Sequence, residues 1–452
     1  MVSFPVLFSD TVKNNRWAAE FYRPGFSFEP IDPSKWCKIR QITSDRQYGM
    51  SLVMNQEGRG FPIYRLNEID NCFLSETPEK CADVSRREAA PFFMKDGDIL
   101  FCRTNGNINY VGRTGIWYGS EEMVFASYLV KVRTKRSELT PEYLAIYLNT
   151  SFGRRQIVRR AMPSNQVNVS ASELMKIDVY VPDVDIQKEI SGLVRRAYKF
   201  RKSALLAYST AQSLLSSSLN EGKLKFDHPL SYTTKFSDVM REGRTDADYF
   251  QVPYVQLAEH IRGNAAGFVR LTEYCDFLSP NANPDKTPNE EFSYVELADI
   301  NAGLGVIDVC EKYRGGNLPS RARRRVKPGD VLASSVVGSI DKSAVIGKDQ
   351  GGFIASTGFF HLRPKGVPSE FLLMLMRSTI VQMQLRQQAT GGILSGVPDA
   401  RVRFIVVPKI DRDVQKEVAA KVQSAHKKHK ESLVLFAAAK ARVEELIDAA
   451  VK

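Results

Sequence analysis

The first half of this chain lays out a series of segments that the second half repeats in the same order, and such a duplication confines the chain to two copies of one structural plan. Four matches define the repeat. Arg16-Trp-Ala-Ala-Glu-Phe-Tyr22 pairs with Arg244-Thr-Asp-Ala-Asp-Tyr-Phe250 at a shift of 228, matching basic, Ala, acidic and twin aromatic positions. Ile63-Tyr-Arg-Leu-Asn-Glu-Ile69 pairs with Tyr294-Val-Glu-Leu-Ala-Asp-Ile300 at a shift of 231, and both runs alternate like half-buried strands. Lys95-Asp-Gly-Asp-Ile-Leu100 pairs with Lys327-Pro-Gly-Asp-Val-Leu332 at a shift of 232, each a Gly-Asp turn feeding a strand. Ile186-Gln-Lys-Glu-Ile190 pairs with Val414-Gln-Lys-Glu-Val418 at a shift of 228, and each opens a long helical pattern shortly after a Val-Pro. With 452 residues in all, each copy is long enough to bury a core of its own.

Stepping alternately by four and three from Ile186 gives Ile190, Leu193, Ala197, Phe200, Ala204, Ala207, Ala211, Leu214 and Ser218, a heptad seam. A second, less regular stripe runs through Val414, Val418, Val422, Ala425, His429, Leu433, Phe436, Ala439, Val443, Ile447 and Ala450, with a polar interruption from His426 to Lys430. Alanine at many seam positions allows the two helices to approach closely, most simply as an antiparallel pair. The rest of each half shows short strand-like runs broken by Gly, Asn and Pro, followed by a helical stretch at Pro141 to Thr150 or Ser369 to Gln388. The expected fold is α+β: tandem domains at 1–183 and 223–410, separated by long helices at 184–222 and 411–452, with an internal pseudo-twofold duplication.

Composition narrows the function. Sixty-three Lys and Arg against 51 Asp and Glu leave a net charge of +12, which favours a polyanionic partner. The six cysteines form no C-x-x-C pair, so neither a zinc site nor a disulfide framework is expected. The N-terminus lacks the basic and apolar regions of a signal peptide and no run of about 18 apolar residues occurs, so a cytoplasmic location is expected.

Catalytic signatures are missing where DNA enzymes carry them. No G-x-x-x-x-G-K-[S/T] loop is present, so ATP hydrolysis is not expected. Asn283-Pro284-Asp285 lacks the second proline and the aromatic of the adenine methyltransferase tetrapeptide, and reads as a loop turn. Pro182-Asp183 has Glu173 and Glu189 nearby but no Glu-x-Lys, which argues against a nuclease centre. His228, His361, His426 and His429 form no triad, and His426 and His429 read as a solvated helix face. No catalytic residue, metal site or cofactor of the chain's own is therefore expected.

Recognition of DNA requires cations for phosphates and planar polar side chains for base edges. The first half offers Arg155 and Arg159 at a helix end leading into Ser164-Asn165-Gln166, the Phe101-Cys-Arg-Thr-Asn-Gly-Asn107 turn with Arg103, Asn105 and Asn107, and Gln47-Tyr48 before Gly49. The second half offers the basic run Arg321-Ala-Arg323-Arg324-Arg325 together with Asn281, Asn283, Ser334, Ser335 and the Thr390-Gly391-Gly392 loop. Framework residues are shared between the halves, whereas these loops differ.

Over essentially its whole length the chain resembles the specificity subunit of type I restriction-modification systems. The resemblance rests on Tyr48-Gly49 before Pro62-Ile-Tyr-Arg-Leu-Asn-Glu-Ile69, on Gly97-Asp-Ile-Leu-Phe-Cys-Arg-Thr-Asn105 running to Val111-Gly112, and on Ser164-Asn-Gln166 before Val181-Pro182 and Gln187-Lys-Glu-Ile190. It implies two target-recognition domains, each reading half of a bipartite double-stranded DNA site. It also implies two long helices that set the gap between half-sites and dock two methyltransferase subunits, through which restriction and translocase subunits join. S-adenosylmethionine, ATP and magnesium would belong to those partners. The seam residues Ile186, Ile190, Leu193, Phe200, Leu214, Val414, Val418, Val422, Phe436 and Val443 are the candidate docking positions. Two departures stand out: Ala333-Ser-Ser-Val-Val337 replaces Phe101-Cys-Arg-Thr-Asn105, and Ser164-Asn-Gln166 has no evident counterpart near Gly391-Gly392. The competing readings are a specificity subunit of another methylation-based phage-defence system, a self-sufficient nuclease or methyltransferase, and a coiled-coil scaffold without base readout.

Overall fold

A computed structural model describes residues 6–14, 19–23, 26–70, 72–162, 166–391 and 395–452. The chain forms two compact units, one of 1–202 with 430–452 and the other of 203–429. Both are α+β, and the duplication read from the sequence recurs in their hydrogen bonds.

The main sheet of the first unit runs in the order Thr43–Tyr48, Leu129–Thr134, Ile99–Cys102, Thr114–Ile116, Cys72–Leu74, Ile69–Asp70. The second unit repeats the first four strands as Cys275–Leu278, Phe359–Pro364, Val331–Ser334, Ser343–Val345. A smaller sheet in each unit joins one parallel to one antiparallel pairing: Val124–Phe125, Phe61–Tyr64 and Cys81–Ala82 in the first, Ile354–Ser356, Glu291–Val295 and Glu311–Arg314 in the second. The fourth strand breaks the equivalence. It is Met54–Asn55 at one edge in the first unit and Ala322–Arg325 at the opposite edge in the second.

Strand ends are set by side chains that take over backbone donors. The alternating run from Ile63 to Ile69 is not one strand: it stops at Tyr64, where Glu68 accepts the Arg65 N–H at 2.8 Å and forces a 3-10 turn. Asp299 does the same to Glu296 at 2.8 Å in the second unit. The helical stretch Ser369 to Gln388 is likewise two helices, Ser369–Met376 and Thr379–Gln388, because Ser378 caps the second by accepting the Val381 N–H. In the first unit Thr150 caps Ser151–Arg160 in the same way through the Gly153 N–H. A Cβ at Gly153 would lie 2.1 Å from the Tyr147 carbonyl oxygen, so this turn admits only glycine.

Two amides lock each unit at equivalent places. Gln156 donates to the Asp178 carbonyl at 2.7 Å and accepts from the Asp178 N–H at 3.0 Å. Gln384 does so at Val406, at 2.7 and 2.9 Å. Gln187 and Gln415, the glutamines of the repeated Gln-Lys-Glu motif, donate to the Pro182 and Ile410 carbonyls at 2.9 and 3.0 Å. All four are buried, where an unanswered amide would cost about 1–3 kcal/mol.

The long helices span Val184–Ser218 and Arg412–Asp448, and at 1.5 Å per residue each is about 50 Å long. In the first unit they run antiparallel, with Ser432 donating to the Ala197 carbonyl and Arg442 beside Glu189. In the second unit Tyr208 stacks on His426 in the same sense. Burial on the first helix falls at Ile190, Val194, Ala197, Ala204, Tyr208, Ala211, Leu215 and Leu219. The stripe keeps a seven-residue repeat, with Ile190, Ala197, Ala204 and Ala211 in one position, but its second position falls at Val194, Tyr208 and Leu215, one residue after Leu193, Ala207 and Leu214, which lie at the edge of the seam. His426 and His429 do not form a solvated face: His429 is buried against Asp308 at 2.7 Å, and His426 donates to the Leu304 carbonyl at 2.7 Å.

Candidate nucleic-acid interface

In the first unit the strand Ile99–Cys102 delivers Arg103 to a junction where three segments meet. The Arg103 N–H donates to the Tyr128 carbonyl at 3.1 Å, and its carbonyl accepts from Val169 at 2.8 Å. Asn105 and Thr104 then pair with Val167 and Asn168, which places the 103–107 turn beside Gln166. The Arg103 guanidinium lies 4.9 Å from the centre of the Tyr48 ring. That stacking fixes a long side chain while leaving its charge available. Tyr48 is held by the Ala171 N–H, which its hydroxyl accepts at 2.9 Å. Arg103, Asn105, Asn107, Tyr48 and Gln166 are thus brought together from three stretches of sequence.

Asn105 and Asn107 also shape their own loop. Asn105 Oδ1 accepts the Asn107 N–H at 2.8 Å, and Asn107 Oδ1 accepts the Asn109 N–H at 2.9 Å. Gln47 differs from its neighbour: its carbonyl accepts from buried Lys131 at 2.7 Å, so it faces the sheet interior rather than a ligand. Arg159 is corrected as well, since its guanidinium donates to the Phe21 and Phe26 carbonyls at 2.8 and 3.2 Å and lies over the Phe21 ring. Burial and the adjacent Arg160 both lower its pKa. Arg155 is exposed. Ser164 and Asn165 lie outside the described residues.

The second unit uses the same framework with different side chains. Ser335 occupies the place of Arg103: its N–H donates to the Gly358 carbonyl at 2.9 Å and its carbonyl accepts from Val397 at 2.8 Å. The loop holding Gln166 does have a counterpart, contrary to the sequence reading. Met162 and Asn168 close it with two backbone hydrogen bonds, as Thr390 and Gly396 close the Gly391 loop at the same shift of 228. Glycine-rich sequence hid the equivalence because the closure uses backbone atoms alone. Gly391 is exposed, and Gly392 lies outside the described residues.

Several second-unit candidates have structural employment. Arg321–Arg325 is not a loop but a strand flank and strand, and its two-residue period turns Ala322 and Arg324 inward. Arg324 is buried, donating to the Leu278 carbonyl at 2.6 Å and pairing with Asp399 at 3.2 Å, and so leaves the set of phosphate contacts. Arg323 stands outward, held by Asn283 at 3.1 Å and Asp285 at 2.9 Å, whereas Arg321 and Arg325 are exposed. Asn281 is occupied by the Arg325 backbone, accepting its N–H at 2.7 Å. Ser334 is fully buried and closes a turn by accepting the Val336 N–H at 3.0 Å.

Arg401, Arg403 and Phe404, which the sequence did not single out, follow the Gly391 loop on the 3-10 helix Asp399–Phe404. The signal was the string Arg-Val-Arg-Phe, whose basic residues are separated and therefore form no run. Of the seam residues named for docking, Ile190, Val418, Val422 and Val443 are fully buried in the chain's own cores. Ile186, Leu193, Phe200, Leu214, Val414 and Phe436 are half-buried. No group of three or more His, Cys, Asp or Glu among the described residues is placed to hold a metal ion. No helix among them is long and apolar enough to cross a membrane.

No family model matches the chain. The solved structure of a type I restriction-modification S subunit from M. genitalium aligns over 94% of this chain and 97% of its own, at 11% identity and a TM-score of 0.47. The HsdS subunit from Thermoanaerobacter tengcongensis aligns over 92% and 95%, at 15% identity and a TM-score of 0.29. The type I restriction enzyme EcoKI specificity subunit of Escherichia coli strain K12 is 25% identical over 178 residues, which covers 38% of either chain. The match thus spans well under half the length of that curated relative. Over those 178 residues the chain is similar to the specificity subunit of a type I restriction-modification system.

Proposed function

We propose that this chain is the non-catalytic, sequence-reading subunit of a type I restriction-modification complex. Each unit reads half of a bipartite double-stranded DNA site, and the long helices dock methyltransferase subunits, which bind S-adenosylmethionine and associate with ATP- and magnesium-dependent restriction subunits. The observation that carries the reading is a shared backbone with exchanged side chains: the Val169–Arg103 and Val397–Ser335 hydrogen bonds coincide, but one position presents a guanidinium and the other a small hydroxyl. Two readers on one scaffold need such exchange, because base edges are distinguished by side chains while the framework only positions them.

Methylome sequencing tests this directly. A host carrying the gene and its neighbouring methyltransferase is expected to show a bipartite methylated motif that disappears when this gene alone is deleted. An unchanged methylome would overturn the reading.

The outward arginines of the second unit give a separate expectation. Replacing Arg321, Arg323 and Arg325 together with Ala should weaken duplex binding to all sequences alike. The dependence of log affinity on log salt should flatten by about three, at roughly 0.9 per phosphate contact. An unchanged slope would remove these residues from the interface.

A further inference from the structure

The helix Asp399–Phe404 carries a feature that the first unit lacks. Val402 and the following Ile405 are buried and anchor it, while Phe404 remains 52% exposed. The guanidinium of Arg403 lies 5.0 Å from the Phe404 ring centre and that of Arg401 5.9 Å. Neither arginine has an acidic partner among the described residues. An exposed phenyl ring forgoes part of the stabilisation that full burial brings, and two uncompensated cations beside it add a concentrated positive charge.

At the equivalent positions of the first unit, 228 residues earlier, stand Glu173, Met175 and Lys176. There Met175 is buried, and Glu173 pairs with Lys176 at 2.6 Å and Arg160 at 3.6 Å. A neutralised, inward-facing turn has become a cationic, outward-facing one. It is also tied to the candidate interface. Asp399, its first residue, holds Arg324 of the basic strand, and Val397, two residues before it, donates to the Ser335 carbonyl.

We propose that Arg401, Arg403 and Phe404 form an additional duplex-DNA contact of the second unit, with the two guanidiniums on phosphates and the ring packed against the deoxyribose between them. The occupant is DNA because two unpaired cations beside one aromatic ring match an anionic backbone with apolar sugar surface. Cation–ring stacking orients both arginines before binding and reduces the ordering cost of contact. This inference rests on the DNA-reading function proposed above.

The test is equilibrium binding of the full-length chain to short random-sequence duplex DNA across a salt series. For R401A/R403A the salt slope should fall by about two, and R401K/R403K should restore it, since Lys keeps the phosphate charge. For F404A the affinity should fall about fivefold at constant slope. Because all three side chains lie at the surface, the variants should unfold at the temperature of the unchanged chain. An unchanged slope in R401A/R403A, or unchanged DNA binding accompanied by loss of the co-expressed methyltransferase, would overturn the contact and, in the second case, mark a protein-docking face. Absence of salt-dependent binding by the unchanged chain would instead sink the DNA-reading function itself.

Discussion

Asp330→Ala is expected to destabilise the second unit by about 3–5 kcal/mol, the range for removing one partner of a buried charge pair. Asp330 is 2% exposed. It accepts the Lys327 N–H at 2.8 Å, His361 Nε2 at 2.7 Å and Arg363 Nε at 2.9 Å. Removing it leaves His361 fully buried without an acceptor, and His361 Nδ1 already has no partner among the described residues. Urea unfolding should show the loss, and an unchanged midpoint would contradict it.

The same carboxylate predicts a pH signature. Burial pushes its pKa up, but the hydrogen bonds from His361, Arg363 and the Lys327 backbone outweigh that and hold it at about 2. Because the folded value lies below the ordinary carboxylate value near 4, the stabilisation is complete above that range and disappears as the pH falls through 2. The stability gap between Asp330→Asn and the unchanged chain should therefore be widest at neutral pH and narrow between pH 4 and pH 2.

Arg103→Ala and Gln166→Ala should each relax the first half-site without touching the second. A bidentate base contact discriminates by about 1–3 kcal/mol, which is roughly 5- to 150-fold in preference. Arg103 is the stronger expectation because its backbone is held on both sides and its guanidinium is stacked on Tyr48. Methylome motifs of the two variants should show degenerate positions in one half-site only. Relaxation in the other half-site would contradict the assignment.

The duplication and the type of most elements follow from the sequence alone, because they are written in local chemistry. The Gly-Asp turns end in the same carboxylate bond to Lys95 and Lys327, and the Gln-Lys-Glu motifs place the same glutamine in the same backbone clamp. Arg103, Asn105 and Gln166 were legible as candidates since each stands in a polar loop next to a strand.

Tertiary structure decided which of these side chains are already engaged. Arg159, Arg324, Asn281 and Gln47 look in sequence like their neighbours, yet each is occupied by a carbonyl, carboxylate, backbone amide or lysine from 44 to 138 residues away. The basic run became a strand because Ala322 and Arg325 found Ser356 and Ile354 to pair with, and the two-residue period then buried Arg324. The Gly391 loop matched the Gln166 loop only through backbone hydrogen bonds, which leave no trace in side-chain identity. Local patterning determines where elements begin and what they expose to choice; long-range pairing determines which polar groups are already satisfied, and only the remainder is available to a ligand.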